Sequence, residues 1–160
     1  SFKTLKKLKF IEFPKLGFKI LKEIVSRVLS SNGCILLVDY GYENSRNQNT
    51  LQSVIKHKRN NLFDNLGKAD ITSQVNFSLL SEFFKKNNLK VKKTITQREF
   101  LKSMGIMERA SIIAKKMKFS EQSNLYFRLR RLLNPKSMGT LFKVILAYKN
   151  DNSDKYYGFK

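Results

Sequence analysis

The sequence predicts an α/β fold equivalent to one half of a Rossmann-like sheet, with helices inserted before the last strand. Residues 16–29 carry apolar side chains at helical spacing, and Asn32 and Gly33 then supply a helix stop. An apolar run at 34–38 follows at once, and such runs are typical of strands buried on both faces. A second strongly apolar segment lies at 140–149. A helix that leads directly into a buried strand indicates α/β layers.

The first half of the chain adds one short strand and one long loop to this prediction. Residues 8–13 alternate in polarity and predict a strand that Pro14 ends. The strand that begins at Cys34 is predicted to end at Gly41. Residues 42–70 are polar and lack periodicity, and a loop of this length is usually functional or poorly ordered.

The second half is predicted to be mainly helical. Asn76 is a suitable N-cap for a helix, and residues 89–96 predict a strand. The sequence TQRE, which starts at Thr96, is a capping box that opens a helix ending near Gly105. Two further helices are predicted near 107–118 and 121–133. These elements divide the chain into one domain at 1–149, with a helical insertion at about 97–137, and a frayed tail at 150–160.

The net charge of +20 comes from 32 lysines and arginines against 12 carboxylates. A charge of this size is compatible with nucleic acid or an anionic membrane as a partner. The basic residues are nevertheless spread from Lys3 to Lys160, and the abundance of Lys, Asn, Ile, Phe and Ser is typical of AT-rich coding DNA. We therefore predict no specific nucleic-acid site, although polyanions should attract the chain at low salt.

Several functional classes find no support in the sequence. There is no leader of the secretory type, and the longest apolar run is far too short to cross a bilayer. One histidine and one cysteine cannot form a Cys/His metal cluster, and Cys34, inside the apolar run, is predicted to be a buried structural thiol. The seven glycines contain no GxG pair, so no glycine-rich cofactor loop is encoded here.

Candidate site residues lie where the predicted strands end. Asp39, Tyr40 and Gly41 stand at the carboxyl end of a strand, where open α/β sheets bind their ligands. Asp39 could accept a hydrogen bond from a cationic substrate, or it could cap the turn after the strand. Glu12, just before Pro14, could end an active-site strand, or it could be a surface carboxylate.

The polar loop offers three more candidates. His57 could accept a proton near neutral pH, or it could be a solvated histidine between two lysines. Asp70 and Thr72 could line a pocket, or they could belong to a turn in which Asp70 binds backbone amides. The residues alone indicate half of an α/β domain with a polar edge, and they identify no reaction.

Five segments, in this order and spacing, resemble the MidA-like family of class I S-adenosylmethionine-dependent methyltransferases. They are LLVDYG, TLQSVIKHK, GKADITSQVNF, TQREFLKSMGI and LLNPKSMGTLFKV. The resemblance covers roughly residues 10–148, and the family includes mitochondrial arginine methyltransferases needed for assembly of respiratory complex I. The chain departs from the family pattern at Leu66, usually proline, at Asn76, usually aspartate, and in having one residue fewer between Glu12 and Pro14.

The resemblance implies transfer of a methyl group from S-adenosylmethionine to a nitrogen, with the arginine of a protein such as a complex I subunit as the acceptor. It implies the C-terminal half of a class I methyltransferase sheet, with the cofactor-binding half upstream of Ser1, so this chain alone is expected to be inactive. The implied catalytic residues are Asp39, His57 and Asp70. The implied substrate-binding residues are Glu12, Tyr40, Gly41, Thr72 and Gln97.

Two other functions remain open at this stage, namely a non-catalytic remnant or binding module and a basic polyanion-binding protein. The family resemblance implies a cytoplasmic location in a bacterium or the mitochondrial matrix in a eukaryote. The lengths of the apolar runs predict no transmembrane segment, and a homodimer is left open. Because half a sheet exposes an edge that lacks its strand partner, we predict poor solubility for the chain alone.

Overall fold

The computed structural model describes residues 2–6, 8–44, 47, 49–150 and 156–159. Five strands form the main sheet in the order β5-β1-β8-β6, and β7 also pairs with β8. Strand β1 runs parallel to β5 and antiparallel to β8. The sheet and its helices confirm the predicted α/β class. The strands are β1 (Cys34–Tyr42), β5 (Val75–Asn76), β6 (Lys90–Val91), β7 (Ile95–Thr96) and β8 (Phe142–Tyr148).

Strand β1 differs from its predicted environment. The apolar run predicts burial on both faces, but only alternate side chains are buried, with Ile35 enclosed while Leu36 and Val38 are each 47% exposed. The prediction of a buried Cys34 thiol was wrong, because this side chain shares the open face and is exposed. The central, enclosed strand is β8, whose residues 144–148 are all buried.

Two helices cover one face of the main sheet, namely α1 (Lys15–Ser30) and α2 (Phe77–Lys86). Both confirm the predicted helices, and the Asn76 side chain caps α2 by accepting a hydrogen bond from Leu79 N at 3.0 Å. Phe18 of α1 stacks on Phe83 of α2 with ring centroids 4.5 Å apart. The core cluster that they share with the sheet includes Val25, Ile35, Phe84 and Ile145.

Residues 42–70, predicted as a loop, contain most of a second sheet. Its antiparallel strands are β2 (Gln52–Ile55), β3 (Lys58–Asn60) and β4 (Asp70–Thr72), in the order β3-β2-β4. These strands are three or four residues long and mostly polar, so they lack the apolar alternation that identifies a strand in sequence.

The helical insertion before the last strand is confirmed. It comprises α3 (Gln97–Ser103), α4 (Ile106–Ala114), α5 (Phe119–Leu133) and α6 (Met138–Leu141). The Thr96 and Glu99 capping box forms as predicted, and the hydrogen bonds from the Thr96 amide and hydroxyl lower the pKa of Glu99. Gly105 lies between α3 and α4 at a φ of 76°, where glycine avoids strain. The predicted strand at 89–96 is instead the two short strands β6 and β7.

Both ends of the chain differ from prediction. Residues 8–13, predicted as a strand, form no strand, and Lys3–Leu5 forms a short 3-10 helix. In the tail, residues 151–155 lie outside the described residues, but Tyr157–Phe159 forms a 3-10 helix in which Gly158 is buried. Phe159 packs against Phe100 of α3, so this part of the tail is not frayed. None of the helices formed by described residues is long and apolar enough to cross a membrane.

Candidate functional site

The carboxyl end of β1 carries the predicted Asp39, Tyr40 and Gly41. Asp39 is half-buried, and its Oδ1 accepts a hydrogen bond from the Tyr40 amide at 2.7 Å. The Tyr40 ring meets Phe142 edge-on, with centroids 5.8 Å apart. Gly41 pairs with Val75, and a Cβ at this position would lie 2.8 Å from Phe77 Cε2 and closer still to the Val75 carbonyl oxygen. Glycine is therefore required here by the approach of β5.

Glu12 is bound to a residue that is far away in sequence. Its Oε1 accepts from Thr50 N at 3.0 Å, and its Oε2 accepts from Thr50 Oγ1 at 2.7 Å. Thr50 Oγ1 in turn accepts a hydrogen bond from the backbone amide of Gln74 at 2.9 Å. These bonds hold together the segment before α1, the start of the second sheet and the approach to β5.

An apolar cavity of about 420 Å³ opens beside this polar network. Its polar lining residues are Glu12, Asn49, Ser73, Gln74 and Asn76. Its apolar wall is formed by Phe10, Phe13, Pro14, Phe18, Leu51, Val75, Leu79 and Leu80. A largely apolar pocket with few convergent polar groups is the usual form of a small-ligand site. Each oxygen of the Glu12 carboxylate accepts one hydrogen bond, and no polar side-chain atom that is buried among the described residues lacks a hydrogen-bond partner.

The remaining predicted residues lie apart from this cavity. His57 is exposed in the turn between β2 and β3, where Lys56 and His57 both have positive φ values, 49° and 61°. Asp70 is exposed at the start of β4 opposite Val54. Thr72 accepts a hydrogen bond from Gln52 Nε2 at 3.1 Å.

Gln97 is buried at the start of α3, and its Nε2 donates to the Leu132 carbonyl at 3.0 Å. This bond ties α3 to the end of α5. No hydrogen bond or ion pair connects Asp39, His57 and Asp70 in the part of the chain that the structure describes. Of the predicted site residues, Glu12 is the one that lines the apolar cavity.

Three residues of this site were not among the candidates from sequence, namely Asn49, Thr50 and Gln74. Thr50 and Gln74 do lie in the TLQSVIKHK and GKADITSQVNF segments that carry the resemblance. Thr50 lies 38 residues from its partner Glu12, and Gln74 lies 24 residues from its partner Thr50, so no local pattern could identify these contacts.

The fold and sequence together define an S-adenosyl-L-methionine-dependent methyltransferase family. A sequence model of such a family matches residues 2–95, which include β1, the second sheet and the Glu12 site. The chain belongs to this family.

Two curated relatives are mitochondrial protein arginine methyltransferases. The NDUFAF7 protein of Danio rerio is 31% identical over 124 residues, which are 78% of this chain and 29% of the relative. The human NDUFAF7 protein is 31% identical over 140 residues, which are 86% of this chain and 31% of the relative. The chain thus spans about three-tenths of the length of these relatives.

Two crystal structures of a Burkholderia thailandensis protein share the fold. Both have a TM-score of 0.74 and 20% sequence identity, and both match 98% of this chain. The match covers 42% of the one crystallised chain and 41% of the other, which is bound to S-adenosyl-homocysteine.

The described residues do not fit the family's cofactor. A glycine-rich turn between a strand and a helix would have to cradle it, and none is present in the described ranges. The glycines with positive φ are Gly67, in the turn before β4, and Gly105, between two helices. We therefore assign no cofactor-binding residue and no catalytic step through the cofactor to these residues.

Proposed function

We propose that this chain forms the acceptor-binding part of an S-adenosylmethionine-dependent methyltransferase, and that the acceptor is an arginine side chain of a protein. The observation that carries the proposal is the Glu12 carboxylate, held by two hydrogen bonds from Thr50 at the wall of the apolar cavity. The names of the relatives support arginine as the acceptor.

The cavity has the chemistry that an arginine side chain requires. A guanidinium group presents a planar array of N–H donors that suits a carboxylate. Each Glu12 oxygen accepts one bond from Thr50, and a carboxylate oxygen has a further lone pair with which to accept from a ligand. The apolar wall, including Phe13 and Leu51, would contact the methylene groups of the arginine.

The roles of Asp39 and Asp70 in orienting the arginine donors, and of His57 in removing a proton from the substrate, stay predictions. His57 and Asp70 are exposed on the second sheet, and Asp39 accepts a hydrogen bond from the Tyr40 backbone amide. Glu12 is therefore the first residue to test. The proposal includes a cofactor site outside residues 1–160 and a protein partner. By analogy with the mitochondrial relatives, it also includes a mitochondrial location if the source is eukaryotic. If the source is bacterial, the proposed location is cytoplasmic.

The test compares Glu12→Gln with Glu23→Gln, an exposed carboxylate of α1, in a chain extended upstream. Methyl transfer from labelled cofactor to an arginine peptide is measured, with a lysine peptide as the acceptor control. Loss of a charge-assisted hydrogen bond should lower kcat/KM of the Glu12 variant about 10- to 100-fold, mainly through KM. Glu23→Gln should match the wild type.

Calorimetric titration with S-adenosylhomocysteine separates acceptor binding from cofactor binding. The Glu12 and Glu23 variants of the extended chain should bind it equally well. Equal kcat/KM values for both variants would reject Glu12 as the acceptor residue. An extended chain that binds no cofactor would instead favour a non-catalytic binding module.

A further inference from the structure

A polar cavity of about 390 Å³ adjoins the apolar cavity beside Glu12. Asn49, Leu51 and Gln74 line both cavities, so the two share one wall. The polar cavity opens where the pairing of β2 with β3 stops, between the chain that leads into β2 and the chain that follows β3. A ligand bound in the apolar cavity can therefore extend into the polar one.

Carboxamide side chains dominate the lining of the polar cavity. Five of its ten lining residues carry one, namely Asn49, Gln52, Asn60, Asn61 and Gln74. Among the described residues that line it, Arg59 is the one with a charge, although the chain has a net charge of +20. A carboxamide offers both N–H donors and a carbonyl acceptor. The lining therefore suits a neutral group that presents donors and acceptors in turn, as a peptide backbone does at each residue.

Part of this lining is fixed, and part is available to a ligand. The Asn60 Nδ2 donates a hydrogen bond to Ser53 Oγ at 3.0 Å, and its Oδ1 accepts one from Asn65 Nδ2 at 3.0 Å. Asn60 thereby holds the segment that follows β3 against β2. By contrast, the side chains of Arg59 and Asn61 make no hydrogen bond or ion pair with any other described residue. Both side chains can bind a ligand without breaking an existing bond.

We propose that the polar cavity binds the peptide backbone beside the acceptor arginine, and that Arg59 selects an acidic residue there. This inference rests on the proposed function, since it takes the arginine side chain of the partner to occupy the cavity beside Glu12. The shared wall lets that side chain enter the apolar cavity while the neighbouring residues of the partner contact the carboxamides. A guanidinium group pairs with a carboxylate through two parallel hydrogen bonds. The partner is therefore a protein segment in which an aspartate or glutamate lies next to the arginine.

The polar part of the cofactor is the competing occupant of this cavity. Its ribose hydroxyls are donors and acceptors, so they too could bind carboxamides. The two occupants differ in what Arg59 does, because a ribose has no negative charge with which to pair.

Binding of fluorescent arginine peptides to the extended chain, measured by anisotropy, tests the inference without turnover. Asn61→Ala should raise the Kd of a peptide with alanines beside its arginine about 3- to 10-fold, because a hydrogen bond to the peptide backbone is lost. Asn124→Ala, at an exposed position of α5, is the matched control and should bind as the wild type does. An unchanged Kd for the Asn61 variant would overturn the inference.

Charge reversal at Arg59 tests the choice of an acidic neighbour. At about 0.15 M ionic strength, where distant surface charges are screened, the wild type should bind a peptide with aspartates beside its arginine about 3- to 10-fold more tightly than one with lysines. Arg59→Glu should reverse this preference. Lys116→Glu changes the net charge equally at an exposed position after α4, and should keep the preference. Equal effects of the two reversals would show general attraction to a basic chain and would overturn the selection by Arg59.

Two further ligands separate this inference from the proposed function. If the wild type binds a peptide with citrulline in place of arginine equally well, the arginine site beside Glu12 is wrong. The polar cavity then still stands as a peptide site if Asn61→Ala weakens the binding of both peptides, and falls if it weakens neither. Calorimetry with S-adenosylhomocysteine should give the same Kd for the Asn61 variant and the wild type. Weaker binding of that compound by the variant, with peptide binding unchanged, would assign the cavity to the cofactor and overturn the inference.

Discussion

Strands β1 and β8 are neighbours in one sheet, yet their surroundings differ sharply. Strand β8 has partners on both edges and buried side chains on both faces, with Val144 and Ile145 fully enclosed. Strand β1 has one edge open over residues 34–40 and one face exposed at Leu36 and Val38. The β8 side is therefore the better enclosed part of this sheet, and the β1 side leads to the candidate site.

The cross-strand pair Val38 and Val144 allows the same substitution to be made on each side of this comparison. Val144→Ala should lower the free energy of unfolding by about 2–3 kcal/mol, because it removes a fully buried side chain and leaves a cavity. Val38→Ala should cost less than about 1 kcal/mol in the 160-residue chain, because half of its surface is already in water.

Urea unfolding followed by circular dichroism measures both values. Equal costs of the two substitutions in the 160-residue chain would show that β1 is already enclosed, and the comparison would fail.

Strand β5 pairs with the last two residues of β1, Gly41 and Tyr42, on the edge that is otherwise open among the described residues. This pairing requires a glycine at position 41. Gly41→Ala should destabilise the chain by about 1–3 kcal/mol, because the added Cβ meets the Val75 carbonyl and the Phe77 ring. Gly17→Ala is the matched control. It lies in α1, where the added Cβ would make an ordinary van der Waals contact with Pro14 Cβ at 3.5 Å, and should stabilise by up to about 1 kcal/mol through helix propensity.

Thermal unfolding of the two glycine variants gives opposite shifts if this account is correct. A Gly41→Ala chain with an unchanged Tm would mean that β5 does not pair tightly with β1. The apolar cavity beside Glu12 would then lack a fixed wall, since Val75 lines it.

The contrast between β1 and β8 also explains what the sequence could predict. The Asn76 cap and the Thr96–Glu99 capping box are local, involving residues three apart, and both were predicted correctly. The exposure of Cys34 was not, because an apolar run does not show which face of its strand the rest of this chain covers. The strands at 52–60 and 70–72 are short and polar, and their pairing depends on distant partners.

In the candidate site too, the sequence identified a single residue but not the contacts between distant segments. Glu12 was a candidate because of its place before Pro14, although the strand expected there is absent. Its binding to Thr50 and the cavity beside it follow from contacts between distant segments, which a single sequence does not encode as a local pattern. The prediction of poor solubility for the chain alone is untested, and the open β1 edge is its physical basis.

A pH-dependent effect is expected at α2, where the N-terminal 3-10 helix is attached. The Glu82 carboxylate accepts hydrogen bonds from Lys3 N at 2.6 Å and from Thr4 N at 2.8 Å, and a third comes from the Thr4 hydroxyl. Burial raises the pKa of Glu82, but the hydrogen bonds from Thr4 and Lys3, with the nearby Lys86, outweigh burial and lower the pKa to about 2.

Because the pKa of Glu82 is lower in the folded than in the unfolded state, its ionised form stabilises the fold above pH 4.5, and this contribution is lost as the pH falls toward 2. Glu82→Gln should therefore cost about 1 kcal/mol at pH 7, with the difference from wild type shrinking steadily below pH 4.5. Glu108→Gln, an exposed carboxylate of α4, is the control and should show no such dependence. Urea unfolding between pH 2 and pH 7 measures the difference, and a constant gap between the Glu82 variant and wild type would mean that packing of Phe2 on Phe18, and not the carboxylate, attaches the N-terminal segment.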